Sequence, residues 1–390
     1  MDPTSRFENL PTEVLIHILT HIDDFHCVWN LLISSPASYR IFNHYSKEIF
    51  WPAISESTIP SQTQDIIRFI IQLRAGAFQK TNLNDIIRKI KDREGGIVLG
   101  KSEELGYDLP TRDSTKVPSL GVLRAVLRTA AQVHCLSRSC IEHYLRQLAA
   151  AKEMGRVEWL SREEPMENAS WLEEQRVLRA LWRVQLVLEL RQAARTSDVL
   201  CPPEDPECGA SLDLESFYDS RTSNLKAAYH EVMTVLDYLQ TLEDGKSGAG
   251  LSRRDSLPLP PVSSLKDLRP ATMRTPDTAM MRRSHLVMPT DSLWIVDSMG
   301  RGAHSPIKYA GFEPYRSLGF AVWDRHRLAH LGLASPPGHG RVTGLGSYFS
   351  CWLRLLSAED LARAEERMRE AESQGGRLEP LQPMIQDNAS

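Results

Sequence analysis

Leu10-Pro11-Thr12-Glu13-Val14-Leu15-Ile16-His17-Ile18-Leu19-Thr20-His21-Ile22 decides the fold class. Val14, Leu15, Ile18, Leu19 and Ile22 recur at i, i+1, i+4, i+5 and i+8, one stripe of a short helix. Pro11 suits its first turn, where the missing N–H costs nothing. Asp23-Asp24 then interrupts the pattern. A second segment carries Val28, Leu31, Leu32 and Ile33 and stops at Ser34-Ser35-Pro36. A third carries Tyr39, Ile41, Phe42, Tyr45 and Ile49 and closes at Phe50-Trp51-Pro52. Three short helices are expected before residue 53.

The same period runs outward from this start. Ser61 with Gln64 forms a capping-box signature ahead of Ile66, Ile67, Ile70 and Ile71. A shorter helix from Asn84 to Lys91 should stop at Gly95-Gly96, with loop from 97 to 117. Ser119 to Lys152 reads as one long helix, or as two broken near Ser137-Arg138-Ser139. Ser170 with Glu173 is a further capping box. It opens a helix whose apolar residues lie almost all round between 177 and 190, as in a helix buried on most sides. That helix should sit at the centre of the core. Asn224 to Leu242 makes another.

Composition changes at 243 to 284, where Gly-Lys-Ser-Gly-Ala-Gly and a Leu-Pro-Leu-Pro-Pro tract replace periodicity, as in a disordered linker or long surface loop. Leu286 to Leu333 is rich in aromatics, more often core than a ligand platform. Tyr348 to Leu356 is a short apolar helix. Ser357 with Asp360 caps a charged final helix, in which Glu359–Arg363 and Glu365–Arg369 are favourable i,i+4 pairs. The expected class is mainly α. The expected division is 1–52, a helical domain 53–243, a linker 244–284, a helical and aromatic region 285–374 packing on the helical domain, and a loose tail 375–390.

Residues 7 to 50 resemble the F-box. The family opens with Leu-Pro-x-Glu and continues with a Leu-rich helix, a hydrophobic-Asp step and two further short helices ending near an aromatic residue. Leu10-Pro11-Thr12-Glu13-Val14-Leu15 supplies the opening, Ile22-Asp23-Asp24 the step, Leu31 to Ser34 the second helix, and Phe50-Trp51 the end. Ser34-Ser35-Pro36-x-x-Tyr39-Arg40-Ile41-Phe42 is similar to the form common in filamentous-fungal F-box proteins. The resemblance covers about 45 of the 390 residues. Cys27, Val28 and Trp29 depart from it, standing where the family more often has Leu and small polar residues.

The resemblance implies an F-box fold and a substrate-receptor role in an SCF-type ubiquitin ligase. A Skp-family adaptor, and through it a cullin scaffold, would bind Leu10, Pro11, Glu13, Val14, Leu15, Ile18, Leu19, Ile22, Leu31 and Leu32. The protein substrate is unknown, since no WD, leucine-rich or Kelch repeat follows. A segment this short cannot bury enough surface to be very stable alone, so one apolar face packs the helices and another is left for a partner. The alternative is a helical scaffold or interaction protein with no ligase role. Tyr315 to Arg325 is similar to a stretch near the end of some fungal F-box proteins, with no known activity.

Composition narrows the partners. Apolar residues are 42% and charged residues 25% of the chain, the ordinary globular range. The net charge of −4 gives no global pull toward nucleic acid or anionic membrane, and neither is expected as a partner. Six cysteines, at 27, 135, 140, 201, 208 and 351, are too dispersed for a secreted disulfide framework. The densest apolar runs, Val28 to Ile33 and Ile66 to Leu73, fall short of the ~20 residues that span a bilayer. With no signal-peptide layout at the amino terminus, cytoplasm or nucleus is expected and the sequons at Asn168 and Asn388 carry no weight.

Catalysis is not expected. His134, Cys135, Cys140 and His143 invite a zinc reading, but on one helix Cys140 and His143 share a face while Cys135 points elsewhere, and no second ligand pair follows. Buried cysteines and surface histidines explain them better, so neither metal nor cofactor is expected. Cys201 and Cys208 flank prolines in an acidic loop as free thiols. Gly338 to Gly344 lacks the strand and helix of a phosphate loop. Arg253-Arg254-Asp255-Ser256 resembles a basophilic-kinase target, and Pro258 to Pro261 fits a PxxP tract by count alone.

Overall fold

The structure is a computed structural model that describes residues 7–22, 24–55, 59–79, 81–98, 118–156, 168–196, 198–201, 212–218, 223–244, 259, 290–336 and 348–374. All regular structure among them is helical apart from one isolated parallel bridge, Asn82 with Leu200. The protein is all-α. By contacts, the chain forms two compact units. One holds Met1–Arg138, Leu178–Leu214 and Arg254–Val287, and the other holds Ser139–Val177, Glu215–Arg253 and Met288–Ser390. Residues 1–52 share a unit with later helices. The expected linker 244–284, apart from Asp244 and Leu259, and the tail 375–390 lie outside the described residues.

The first unit opens with four short helices rather than three: α1 (Thr12–Thr20), α2 (Phe25–Ser34), α3 (Pro36–His44) and α4 (Ser46–Ser55). The third expected segment breaks at Tyr45, which leaves helical geometry between α3 and α4. Local caps explain the boundaries. Asp24 accepts from the His26 N–H and starts α2, and Ser35 accepts from the Ser38 N–H and starts α3, with Pro36 at the first helical position. Pro11 stands one position earlier than expected, before α1, where its C=O accepts from Val14 and Leu15. α1 packs on α3 and α4, and α2 on α3. Phe25 stacks on Phe50 with ring centroids 5.0 Å apart.

α5 (Ser61–Arg74) corrects the first capping box. Pro60 takes the cap position and Ser61 is already helical, so Gln64 turns back to donate to the Ile59 carbonyl at 2.8 Å. α6 (Leu83–Val98) runs through Gly95-Gly96 rather than stopping there. Glycine lowers helix propensity by only about 1 kcal/mol per residue, a penalty that tertiary packing overrides.

α7 (Leu120–Glu153) is a single unbroken helix, and Ser137 and Ser139 are buried along it. α8 (Trp171–Arg195) is buried around its apolar residues as expected, with Leu181, Val184, Leu186, Val187 and Leu190 at most 1% exposed. Both helices contribute residues to each unit. α8 also carries charges that its periodicity hid. In the first unit Arg183 pairs with Glu94 at 3.0 Å, Arg179 donates to Gln62 at 2.7 Å, and Glu189 receives Arg74 at 2.5 Å.

The second unit contains the carboxyl-terminal parts of α9 (Leu214–Tyr218), all of α10 (Ser223–Asp244), and α11 (Asp291–Gly300), α12 (Pro306–Ala310), α13 (Glu313–Arg316), α14 (Arg325–His330), α15 (Phe349–Arg354) and α16 (Ala358–Ser373). Its aromatics are core: Tyr315, Phe320, Trp323 and Trp352 are fully buried. Tyr315 and Phe320 each meet Trp352 with centroids 5.3 Å apart. Gly319 lies at φ +81°, and a Cβ there would stand 2.8 Å from the Trp323 ring. α12 packs on α16 through Tyr309, Ala364 and Ala371.

The capping box at α8 and the Ser357 cap at α16 form. Ser170 and Glu173 exchange bonds at α8, and Ser357 accepts from the Asp360 N–H at α16, where Glu359 pairs with Arg363 at 2.9 Å. Glu173 does more than cap. It is fully buried, receives Arg327 through Nε and Nη2 at 2.8 Å each, and accepts the Asp324 N–H at 3.0 Å. Arg327 lies 4.7 Å from the Trp323 ring centroid.

Candidate functional site

The amino-terminal helices divide their apolar residues between two tasks. Leu15, Leu19 and Leu32 are at most 2% exposed and pack inside the protein, so as the chain stands they do not face a partner. Leu10, Ile18, Ile22 and Leu31 are half-buried, while Pro11, Glu13 and Val14 are exposed. Ile33, which the F-box pattern did not select, is the most open large apolar side chain among the described residues at 64%, and Val14 on α1 is 41% exposed. Four of the six exposed large apolar residues among those described, Val14, Ile33, Tyr39 and Tyr45, fall within this stretch. Exposed apolar side chains scattered singly are normal, and these four stand on α1, α2, α3 and the turn that follows α3.

Two polar contacts hold the surface in place. Glu8 reaches the start of α3, accepting from the Ser35 hydroxyl at 2.6 Å and from the Ala37 N–H at 3.0 Å. A carboxylate there meets the positive end of the helix dipole. Arg124 on α7 donates to the Tyr39 hydroxyl at 2.6 Å and to Asn43 at 2.7 Å, and its guanidinium lies over the Tyr39 ring. Tyr39 is thus partly committed to its own chain, whereas Val14 and Ile33 lie open. Neither Glu8 nor Arg124 carries a sequence signal, because each partner is set by folding.

The Cys/His group near 134 to 143 does not assemble. Cys140 is fully buried, and burial raises its thiol pKa beyond any working range. Cys135 is half-buried and its thiol is also raised. His143 lies against Tyr144 and Tyr238. His134 instead stacks on His26, ring centroids 4.3 Å apart and nearly parallel. Cys201 is a free, half-buried thiol, whereas Cys208, Gly338 to Gly344 and Arg253 to Ser256 lie outside the described residues.

A narrow cleft of about 10 Å³ lies in the first unit beside Asp65, Arg93, Glu94 and Arg183. Its charges answer one another, Arg93 to Asp65 at 2.9 Å and Arg183 to Glu94 at 3.0 Å. Each charge thus faces an opposite one, as a buried ion pair requires. From the Leu-Pro-Leu-Pro-Pro tract, Leu259 is buried and its carbonyl accepts from Gln132 on α7 at 2.8 Å. No described helix is long and apolar enough to cross a membrane.

The fold and surface define an all-α protein with an exposed apolar amino-terminal segment. No family model, curated protein or solved structure matches the chain.

Proposed function

We propose that the chain is an F-box-type receptor subunit of an SCF-type ubiquitin ligase, docking a Skp-family adaptor through its amino-terminal helices. The observation that carries this is the exposure of Val14 and Ile33 on two helices of a segment that also has the Leu-Pro-x-Glu opening. Pro11, Glu13 and the half-buried Leu10, Ile18, Ile22 and Leu31 would complete the contact, while Leu15, Leu19 and Leu32 hold the helices that present it. Such a receptor performs no bond chemistry. It raises the effective concentration of a target lysine near the ubiquitin-charged conjugating enzyme carried by the cullin scaffold.

The test is co-purification with a Skp-family adaptor. Wild type should retain adaptor, and Leu10→Ala with Pro11→Ala, or Val14→Asp with Ile33→Asp, should lose most of it. No adaptor on intact, folded protein overturns the assignment. One observation favours a helical scaffold without a ligase role: residues 1–52 belong to the same compact unit as later helices instead of standing apart. A scaffold predicts that Val14→Asp leaves every adaptor and cullin interaction unchanged.

A further inference from the structure

We infer that Asp24, His26 and His134 form a binding site for a single divalent transition-metal ion of the zinc class. One potential ligand atom from each residue lies within 4.8 Å of those from the other two. Asp24 and His26 flank the start of α2, and His134 comes from the middle of α7, more than a hundred positions later.

The donor set is chosen for such an ion. Two imidazoles and one carboxylate suit zinc, copper or nickel rather than magnesium or calcium, which prefer oxygen throughout. Three protein ligands leave a fourth tetrahedral position open to water.

The carboxylate is positioned by its other duty. Asp24 Oδ1 accepts the His26 N–H at 3.0 Å, which leaves Oδ2 directed toward the ring, 4.0 Å from Nδ1. On the far side of the ring, Nε2 lies 3.0 Å from the Asn30 side-chain amide. As it stands the Asn30 side-chain N–H donates to Nε2, so ligation through Nδ1 moves the ring proton to Nε2 and turns the Asn30 amide over so that its oxygen accepts it. Ligand bonds near 2.1 Å place tetrahedral ligand atoms about 3.4 Å apart, so the three groups close inward by roughly 1 Å. Each imidazole must offer its nitrogen in the plane of its ring. Loading therefore turns one ring out of the parallel stack.

The full chain, stripped with chelator, is titrated with Zn²⁺ at pH 7.5 by calorimetry, with Mg²⁺ in a parallel arm. The expected result is one Zn²⁺ equivalent, a shift of the His26 and His134 ring resonances, and no Mg²⁺ binding. Asp24→Asn keeps the helix cap, because Asn caps as well as Asp, yet should weaken Zn²⁺ at least tenfold. His134→Gln should abolish the equivalent. His17 and His21, an exposed i,i+4 pair with rings 4.0 Å apart, are the competing chelate on α1. His21→Gln should leave the equivalent intact. Failure to saturate, equal binding of Mg²⁺, or loss of the equivalent in His21→Gln with retention in Asp24→Asn overturns the inference. Adaptor co-purification is scored separately, since its loss would bear on docking alone.

Discussion

Replacing Arg327 by Met isolates the cost of one buried carboxylate. In the wild type Glu173 accepts two bonds from Arg327, one from the Ser170 N–H and one from the Asp324 N–H, and both side chains of the pair are 0% exposed. Methionine keeps much of the volume but removes the countercharge. Glu173 is then left with two backbone donors inside the protein. Breaking a buried pair from one side costs about 3–5 kcal/mol, because the remaining charge stays out of water. For a folding unit of roughly 150–250 residues this lowers Tm by about 6–20 °C. Pairing the change with Glu173→Gln removes the stranded charge and should recover at least half of the loss. Arg363→Ala, at an exposed pair with Glu359, is the control and should cost under about 0.5 kcal/mol. Urea titration of the four proteins, followed by circular dichroism, reads the series. If Arg327→Met falls within about 0.5 kcal/mol of wild type, or the double variant is no better than the single, charge burial is not what holds this region.

Three other outcomes are expected. Val14→Asp and Ile33→Asp should change stability by less than about 0.5 kcal/mol in thermal melts, whereas Leu19→Ala, at a fully buried position, should cost about 2–5 kcal/mol; comparable costs would mean the outer face is covered. Gly319→Ala should destabilise by more than about 1 kcal/mol, since its φ of +81° disfavours a side chain and the new Cβ meets Trp323 and Tyr144. His230 is buried, its Nδ1 has no partner, and burial with Arg316 and Lys226 lowers its pKa to about 3. The native ring stays neutral while the unfolded ring protonates near 6.5, so stability falls as pH drops from about 6.5 toward 3, by up to about 1.4 kcal/mol per pH unit. His230→Phe should reduce that slope in pH-dependent urea titrations, leaving the part that His134 contributes.

Helix existence was legible because burial imposes a 3.6-residue period on long segments such as α7 and α8. Helix ends were legible where one side chain dominates the cap, as at Ser170 and Ser357, and not where two residues compete. Pro60 displaced Ser61 from the cap, and the break at Tyr45 has no Gly or Pro to announce it. The division of Leu15, Leu19 and Leu32 from Val14 and Ile33 follows from which helices α1 and α2 lie against, which spacing along one helix does not state. His134 was conspicuous only beside the wrong partners. Its neighbours in space, Asp24 and His26, are remote in the chain, and no local pattern links them.

The chain enters each unit three times, and two of the boundaries fall within α7 and α8. During synthesis, the opening helices therefore leave the ribosome well before α8 exists to close their unit. At about 5–20 residues per second, the stretch from Arg138 to Leu214 takes on the order of several seconds to emerge. Nascent chains interrupted in that interval carry Ile66, Ile67, Ile70 and Ile71 without the helix that completes their surroundings, so a chaperone should engage them at that stage.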